Sequence, residues 1–157
     1  DPATNVANRA GLLRDLEREI NRARRNKPAP LLVVLKLVGL DNMNNLSQRH
    51  IQNRILRGVG SRIAAGLRDT DAVGRISEDS FGVMVVDAVE GSGPMIVSRW
   101  ESDLLGQLVD DGAGGMIEIN LENSFRRCEL TGLENLDSSE IAARLLSTIE
   151  QSLVKPS

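Results

Sequence analysis

The stretch Leu31-Leu32-Val33-Val34-Leu35-Lys36-Leu37-Val38 constrains the fold more than any other, because it is apolar throughout except for Lys36. Side chains of a strand alternate between its two faces, so a run that is apolar at odd and even positions alike reads as a central strand covered on both. Such a strand needs helices with an apolar stripe. Leu12, Leu13, Leu16, Ile20 and Ala23 recur at helical spacing and predict an amphipathic helix over about residues 8–26, ended by Asn26-Lys27-Pro28, with Pro30 as a second breaker. Ile51, Ile55, Val59, Ile63 and Leu67 fall every fourth residue and predict a second helix, the clearest on the chain.

Two short runs follow, Ala72 to Ile76 and Phe81 to Val86, separated by four polar residues as in a hairpin. After the breaker Gly91-Ser92-Gly93-Pro94, the residues Met95, Ile96, Trp100 and Leu104 suggest a third helix over about 94–108. Met116 to Leu121 and Arg126 to Leu133 alternate as strands, are joined through Glu122-Asn123-Ser124 and are expected to pair. The last helix begins at Asp137-Ser138-Ser139-Glu140, a capping-box pattern, and turns Ile141, Leu145, Ile149 and Leu153 inward. The order helix, strand, helix, hairpin, helix, hairpin, helix predicts an α+β fold with helices on a mainly antiparallel sheet. Residues 1–157 contain no internal repeat and no linker long enough to divide them, so a single domain is expected.

Composition excludes several classes of function. With 157 residues, 41% of them hydrophobic, the chain can bury one sizeable core. A formal charge of -3 argues against a nucleic-acid-binding surface as the main role, although a local basic pocket is allowed. Cys128 is the only cysteine, so neither an intrachain disulfide nor a thiolate metal cluster can form; a small buried hydrophobe in a reducing compartment is the natural reading. No apolar run approaches the roughly 18 residues that span a bilayer, and a cytoplasmic location is expected.

The heptapeptide Arg75-Ile76-Ser77-Glu78-Asp79-Ser80-Phe81 resembles Arg-x-Gly-Gly-(Asp/Glu)-Glu-Phe, the signature hairpin of the GGDEF family of diguanylate cyclases. Arg75, Asp79 and Phe81 stay in register, while Ser77 and Glu78 replace the glycines and Ser80 replaces the second acidic residue. Asp1-Pro2-Ala3-Thr4-Asn5-Val6-Ala7-Asn8-Arg9 resembles the family's opening Asp-x-Leu-Thr-Gly-Leu-x-Asn-Arg. The resemblance spans nearly the whole chain and loosens in the last helix, where Lys155 stands at the place of a triphosphate-binding lysine. It implies a nucleotidyl cyclase-like fold and, from a start inside a motif, a domain cut from a longer protein.

An active member of the family condenses two GTP molecules into cyclic di-GMP with metal ions that neutralise the triphosphate. The family block Asp-x-Asp-x-Phe-Lys-x-Ile-Asn-Asp, laid on this sequence without gaps, runs from Lys36 to Asn45. The metal carboxylate has become Lys36, whose ammonium repels a cation that wants hard oxygen ligands. Leu37 keeps a backbone carbonyl at the next position and Asp79 a carboxylate on the hairpin, which together make a poor site; magnesium is not expected to bind well and no cofactor is expected. Of the guanine-recognition positions, Asn44 is kept, and the downstream Asp is Asn53, an amide without the charge that strengthens such a bond. Ser77 and Glu78 put side chains where glycines would let substrate lie against the backbone, and Ser80 removes the remaining acid. An exposed Ser-Glu-Asp-Ser turn is also ordinary hairpin chemistry. Taken together, these replacements imply a domain that is not an enzyme.

Arg68-Asp69-Thr70-Asp71 matches the family's Arg-x-x-Asp inhibitory site, with Asp71 six residues before Ser77 as the family's spacing requires. The arginine that the family adds from the following helix falls on Arg99, twenty residues after Asp79. Guanidinium groups bridge phosphate oxygens or stack on guanine, and a carboxylate accepts from the guanine N1–H and amino group. The same three residues also read as a helix end, a turn and a solvated helix arginine. The resemblance implies a catalytically inactive regulatory module that binds cyclic di-GMP through Arg68, Asp71 and Arg99, in a chain that also carries a sensor or an EAL phosphodiesterase domain and can form a homodimer. A nucleotide-free interaction module, a GTP-sensing allosteric domain and a residual enzyme are the alternatives.

Overall fold

The computed structural model describes residues 6–25, 28–38, 46–89, 91–104, 108–110, 116–118 and 120–153. Its elements follow in the order β1 (Ala7–Asn8), α1 (Arg9–Ala23), β2 (Leu31–Val38), α2 (Leu46–Ala65), β3 (Ala72–Ser77), β4 (Ser80–Val85), α3 (Gly93–Leu104), β5 (Leu108–Asp110), β6 (Met116–Glu118), β7 (Asn120–Arg127) and α4 (Ser138–Leu153). The apolar run is the second-from-edge strand β2 of a five-stranded sheet ordered β1-β3-β4-β2-β7. It pairs antiparallel with β4 from Leu31 opposite Val85 to Lys36 opposite Ser80, and with β7 from Leu31 opposite Arg127 to Val38 opposite Asn120. Only β1 joins its neighbour β3 in parallel.

Both faces of this sheet are covered, as the run demands. Leu31, Val33, Leu35 and Leu37 pack with Phe81, Val83 and Val85 beneath Ile51, Ile55, Val59 and Ile63 of α2 and Val97 and Trp100 of α3. Leu32 and Val34 pack with Met84 and Val86 beneath Leu12, Leu16 and Ile20 of α1 and Ile141, Leu145 and Ile149 of α4. Each fully buried aliphatic side chain contributes about 1.5–3 kcal/mol by leaving water. Lys36 continues the even-numbered face of β2 at its far end, where the core gives out and the side chain is half-buried.

Local chemistry fixes the helix ends. The Asn8 side chain accepts the Gly11 N–H at 2.8 Å and caps α1; Asp137 accepts the Glu140 N–H at 2.8 Å and caps α4, as the capping pattern predicts. Arg9 then clamps the two helices on this face, donating to Glu150 at 2.9 and 2.7 Å. That hydrogen bonding holds its guanidinium still more firmly protonated against the opposing effect of partial burial. Gly74 and Gly82 are cross-strand partners under Leu12, where a Cβ on Gly82 would come within 2.5 Å of the Leu12 side chain. The missing side chains let α1 settle directly on the sheet.

The second half departs from the sequence-based expectation. Residues 120–127 form one continuous strand through Glu122-Asn123-Ser124, and it pairs with β2 instead of with a strand over 126–133. Beyond Arg127 the chain leaves the sheet in turns, and β6 pairs with β5 in a separate two-stranded ribbon. The third helix ends at Leu104. An eight-rung ladder along β2 outweighs the turn-forming composition of Glu-Asn-Ser, because strand preference follows the available partner more than the residue.

Cys128 is buried, and its N–H donates to the Pro30 carbonyl at 2.9 Å. Desolvation by burial pushes its thiol from the ordinary 9.0 up to about 12, against a smaller lowering by Arg127. The folded protein should therefore resist iodoacetamide at pH 8 and react only once denatured, which a mass shift per cysteine would read. Between the two values the unfolded chain binds fewer protons than the folded one, so stability should fall as pH rises above 9.0, by up to about 1.4 kcal/mol per unit. Equal alkylation of native and denatured protein would overturn this.

Candidate functional site

Two regions collect the residues singled out by the sequence. The first is the hairpin tip. β3 and β4 reach one residue further than expected, Ser77 pairs with Ser80, and Glu78-Asp79 is left as a two-residue turn after a register shift between Arg75 and Ser77. Arg75 folds over this turn, its Nε donating to the Ser77 carbonyl at 3.2 Å and its Nη2 to the Glu78 carbonyl at 2.9 Å. The Ser77 hydroxyl donates to the Asp79 carboxylate at 3.0 Å and shares a short hydrogen bond with the Ser80 hydroxyl. The Leu37 N–H donates to the Asp79 carbonyl at 2.8 Å, which ties the tip to the end of β2.

Lys36 thus lies beside Ser80 on one flank and Glu122 on the other. Its position opposite the hairpin suggests an ion pair with Asp79 in the volume of a metal; among the described residues no such pair forms. Asp79 is joined to the strand end through its backbone, and its carboxylate is engaged by Ser77. The tip therefore carries two carboxylates, Asp79 engaged by Ser77 and Glu78 exposed at the turn, while the neighbouring strand end carries the Lys36 ammonium, a donor set that does not fit the octahedral oxygen shell of magnesium. Among the described residues no three His, Cys, Asp or Glu side chains are placed to share a metal. Asn53 lies on the exposed face of α2 in a shallow groove of about 380 Å³ with His50, Arg54 and Arg57, and no described hydrogen bond or ion pair links it to the hairpin. Asn44 and Lys155 lie outside the described residues.

The second region brings Arg68, Asp71 and Arg99 together. All three line one open cleft of about 330 Å³ between the connection leaving α2, the end of β4 and the first turns of α3. Arg68 follows the C-terminus of α2, Asp71 precedes β3, and Arg99 is exposed on α3 one residue before the buried Trp100. Ile96 and Val89 supply apolar wall.

Asp71 is used differently from the expectation. Its side chain is only 4% exposed. One oxygen accepts from the Arg68 backbone N–H at 3.0 Å and from Arg68 Nε at 3.2 Å, and the other accepts from the Val86 N–H at 2.9 Å and from Arg68 Nη2 at 3.4 Å. A carboxylate with four donors on its two oxygens has little left for a ligand. Arg68, whose side chain is 58% exposed, also donates to the Val86 carbonyl. The pair therefore brackets Val86, which fixes how the chain leaves β4 and holds the Arg68 guanidinium against the cleft. Asp71 positions Arg68, and substituting it is no longer a surface change.

Two cleft residues escaped the sequence. Asp87 adopts φ 56°, a left-handed conformation unusual outside glycine. The Ser92 Oγ is buried without a partner among the described residues. An Asp just after a strand is a turn signal, and the Gly91-Ser92-Gly93-Pro94 breaker marks the start of α3; neither points to a cleft without the tertiary fold. Among the described residues no helix is long and apolar enough to cross a membrane.

This arrangement of sheet, helices and hairpin recurs in solved structures. The coiled coil and GGDEF domain of DgcB from Caulobacter crescentus, solved in complex with c-di-GMP, superposes with a TM-score of 0.78 at 15% identity over 98% of this chain and 78% of that one. A diguanylate cyclase/phosphodiesterase from Caldicellulosiruptor saccharolyticus gives 0.74 at 18% identity, over 98% and 83%. Diguanylate cyclase SiaD from Pseudomonas aeruginosa, solved with its activator SiaC, gives 0.72 at 19%, and this chain spans 92% of itself but 57% of SiaD. No curated protein sequence matches. At these identities the superpositions speak for the fold, and membership rests on the sequence itself: the model for the diguanylate cyclase GGDEF domain matches residues 1–110, from the opening motif through the hairpin to β5, so the chain belongs to the GGDEF family.

Proposed function

We propose that this GGDEF domain makes no cyclic di-GMP and instead binds it, in the cleft of Arg68 and Arg99, as a regulatory module of cyclic di-GMP signalling. The observation that carries this reading is that Arg68 and Asp71 of the α2–β3 connection and Arg99 of α3 line one cleft, while the strand end beside the hairpin carries the Lys36 ammonium opposite Ser80. Two guanidinium groups supply the charge that a dianionic nucleotide needs. Magnesium has no role in this binding. In a longer chain with a sensor or phosphodiesterase domain, occupancy of the cleft would serve as the regulatory input.

Calorimetric titration with cyclic di-GMP tests the reading. Arg99→Ala removes an exposed side chain, so it should leave the melting temperature in place while weakening affinity by about ten- to a hundredfold, the worth of roughly 1.5–3 kcal/mol of charge-assisted contact. Absence of heat with unmodified protein at high micromolar nucleotide would overturn the proposal in favour of an interaction module. Heat with GTP alone would favour a GTP sensor.

A further inference from the structure

Cyclic di-GMP is distinguished from other cyclic dinucleotides by its base edge, where guanine N1–H and the 2-amino group present two adjacent donors. A bidentate carboxylate is the side chain that matches them. Asp71, the acid that spacing assigns to this task, is 4% exposed and already accepts from four donors. The cleft contains a second acid. Asp87 lines the same wall as Arg68 and Arg99, is exposed, and makes no hydrogen bond or ion pair among the described residues.

The backbone explains why it faces the cleft. Asp71 and Arg68 grip the N–H and the carbonyl of Val86 from both sides. The chain then turns at once through Asp87 at φ 56°. A left-handed non-glycine residue costs about a kcal/mol or more and persists where surrounding contacts impose it, commonly at ligand sites. Aspartate tolerates this conformation because its short side chain suits it. Asp87 is thus an exposed acid without a partner among the described residues, in a left-handed turn on the cleft that Arg68 and Arg99 also line.

Resting on the reading of the cleft as a cyclic di-GMP site, we infer that Asp87 is the carboxylate that reads guanine, with Asp71 confined to positioning Arg68. Arg68 and Arg99 supply affinity for the phosphates and base, and Asp87 supplies the choice of base. Adenine lacks N1–H and the 2-amino group, so cyclic di-AMP would keep the arginine contacts to its phosphates but lose the two adjacent donors that Asp87 reads.

The test compares cyclic di-GMP and cyclic di-AMP on the unmodified protein and on Asp87→Asn, which keeps the left-handed turn. The expected result is roughly a tenfold loss of affinity for cyclic di-GMP, unchanged or tighter binding of cyclic di-AMP, and an unchanged melting temperature. If Asp87 only repels phosphate, both nucleotides will bind Asp87→Asn equally or more tightly, and the inference fails while the cleft remains a nucleotide site. If the unmodified protein binds neither nucleotide, the cleft reading itself fails. Unchanged binding of cyclic di-GMP by Asp87→Asn would also overturn the role.

Discussion

Incubated at high protein concentration with GTP and magnesium, the chain should yield no cyclic di-GMP by nucleotide chromatography. Condensation of two triphosphates needs metal ions to neutralise developing charge and to align the attacking hydroxyl. Lys36 puts an ammonium at the strand end where the family carries its metal carboxylate, directly across from Ser80. The Asp79 carboxylate at the tip is held by the Ser77 hydroxyl. Ser77 and Glu78 are both exposed at the turn, so substrate would meet side chains, one of them negative, where glycines would leave backbone. These obstacles are separate, and Lys36→Asp alone should not restore turnover because Glu78 and Ser80 remain. Product that forms with the unmodified chain and disappears in Asp79→Ala would overturn the reading of the tip.

What the sequence could reveal followed the range of the interactions involved. The apolar run of β2, the fourfold spacing in α2 and the Asp137 cap of α4 are local patterns, and each appears where the residues put it. β7 does not announce itself, because Asn120–Arg127 is polar and turn-like, and only the open edge of β2 makes it a strand. The two-residue β1 is legible only through its partner β3. The site divides in the same way. Register along the chain was enough to bring Arg68, Asp71 and Arg99 to one cleft. The use of Asp71 depends on the N–H of Val86, fifteen residues away across a hairpin, and no spacing rule contains that bond. The Lys36–Asp79 pair failed for a related reason: alignment brings the two residues close, but the short turn gives the strand a carbonyl from Asp79 and gives the carboxylate to Ser77.

Asp71→Ala should destabilise the domain by about 2–4 kcal/mol, read by urea unfolding. Removing the carboxylate leaves the N–H of buried Val86 without its acceptor, at about 1–3 kcal/mol, and takes from exposed Arg68 the charge-assisted bonds of its backbone N–H and guanidinium, a smaller loss because water replaces them. Arg68 is left charged, but its exposure lets water screen it, which keeps the total below that for a fully buried pair. For a chain of this size the melting temperature should drop by roughly 5–15 °C. Asp71→Asn should cost less, since its amide oxygen can still serve one donor. Either change frees Arg68 from its bracket on Val86, so cyclic di-GMP affinity should fall together with stability, whereas Arg99→Ala lowers affinity alone. An Asp71→Ala protein that melts like the unmodified one but binds nucleotide far more weakly would return Asp71 to the role of a ligand-reading acid and remove the reason to give that role to Asp87.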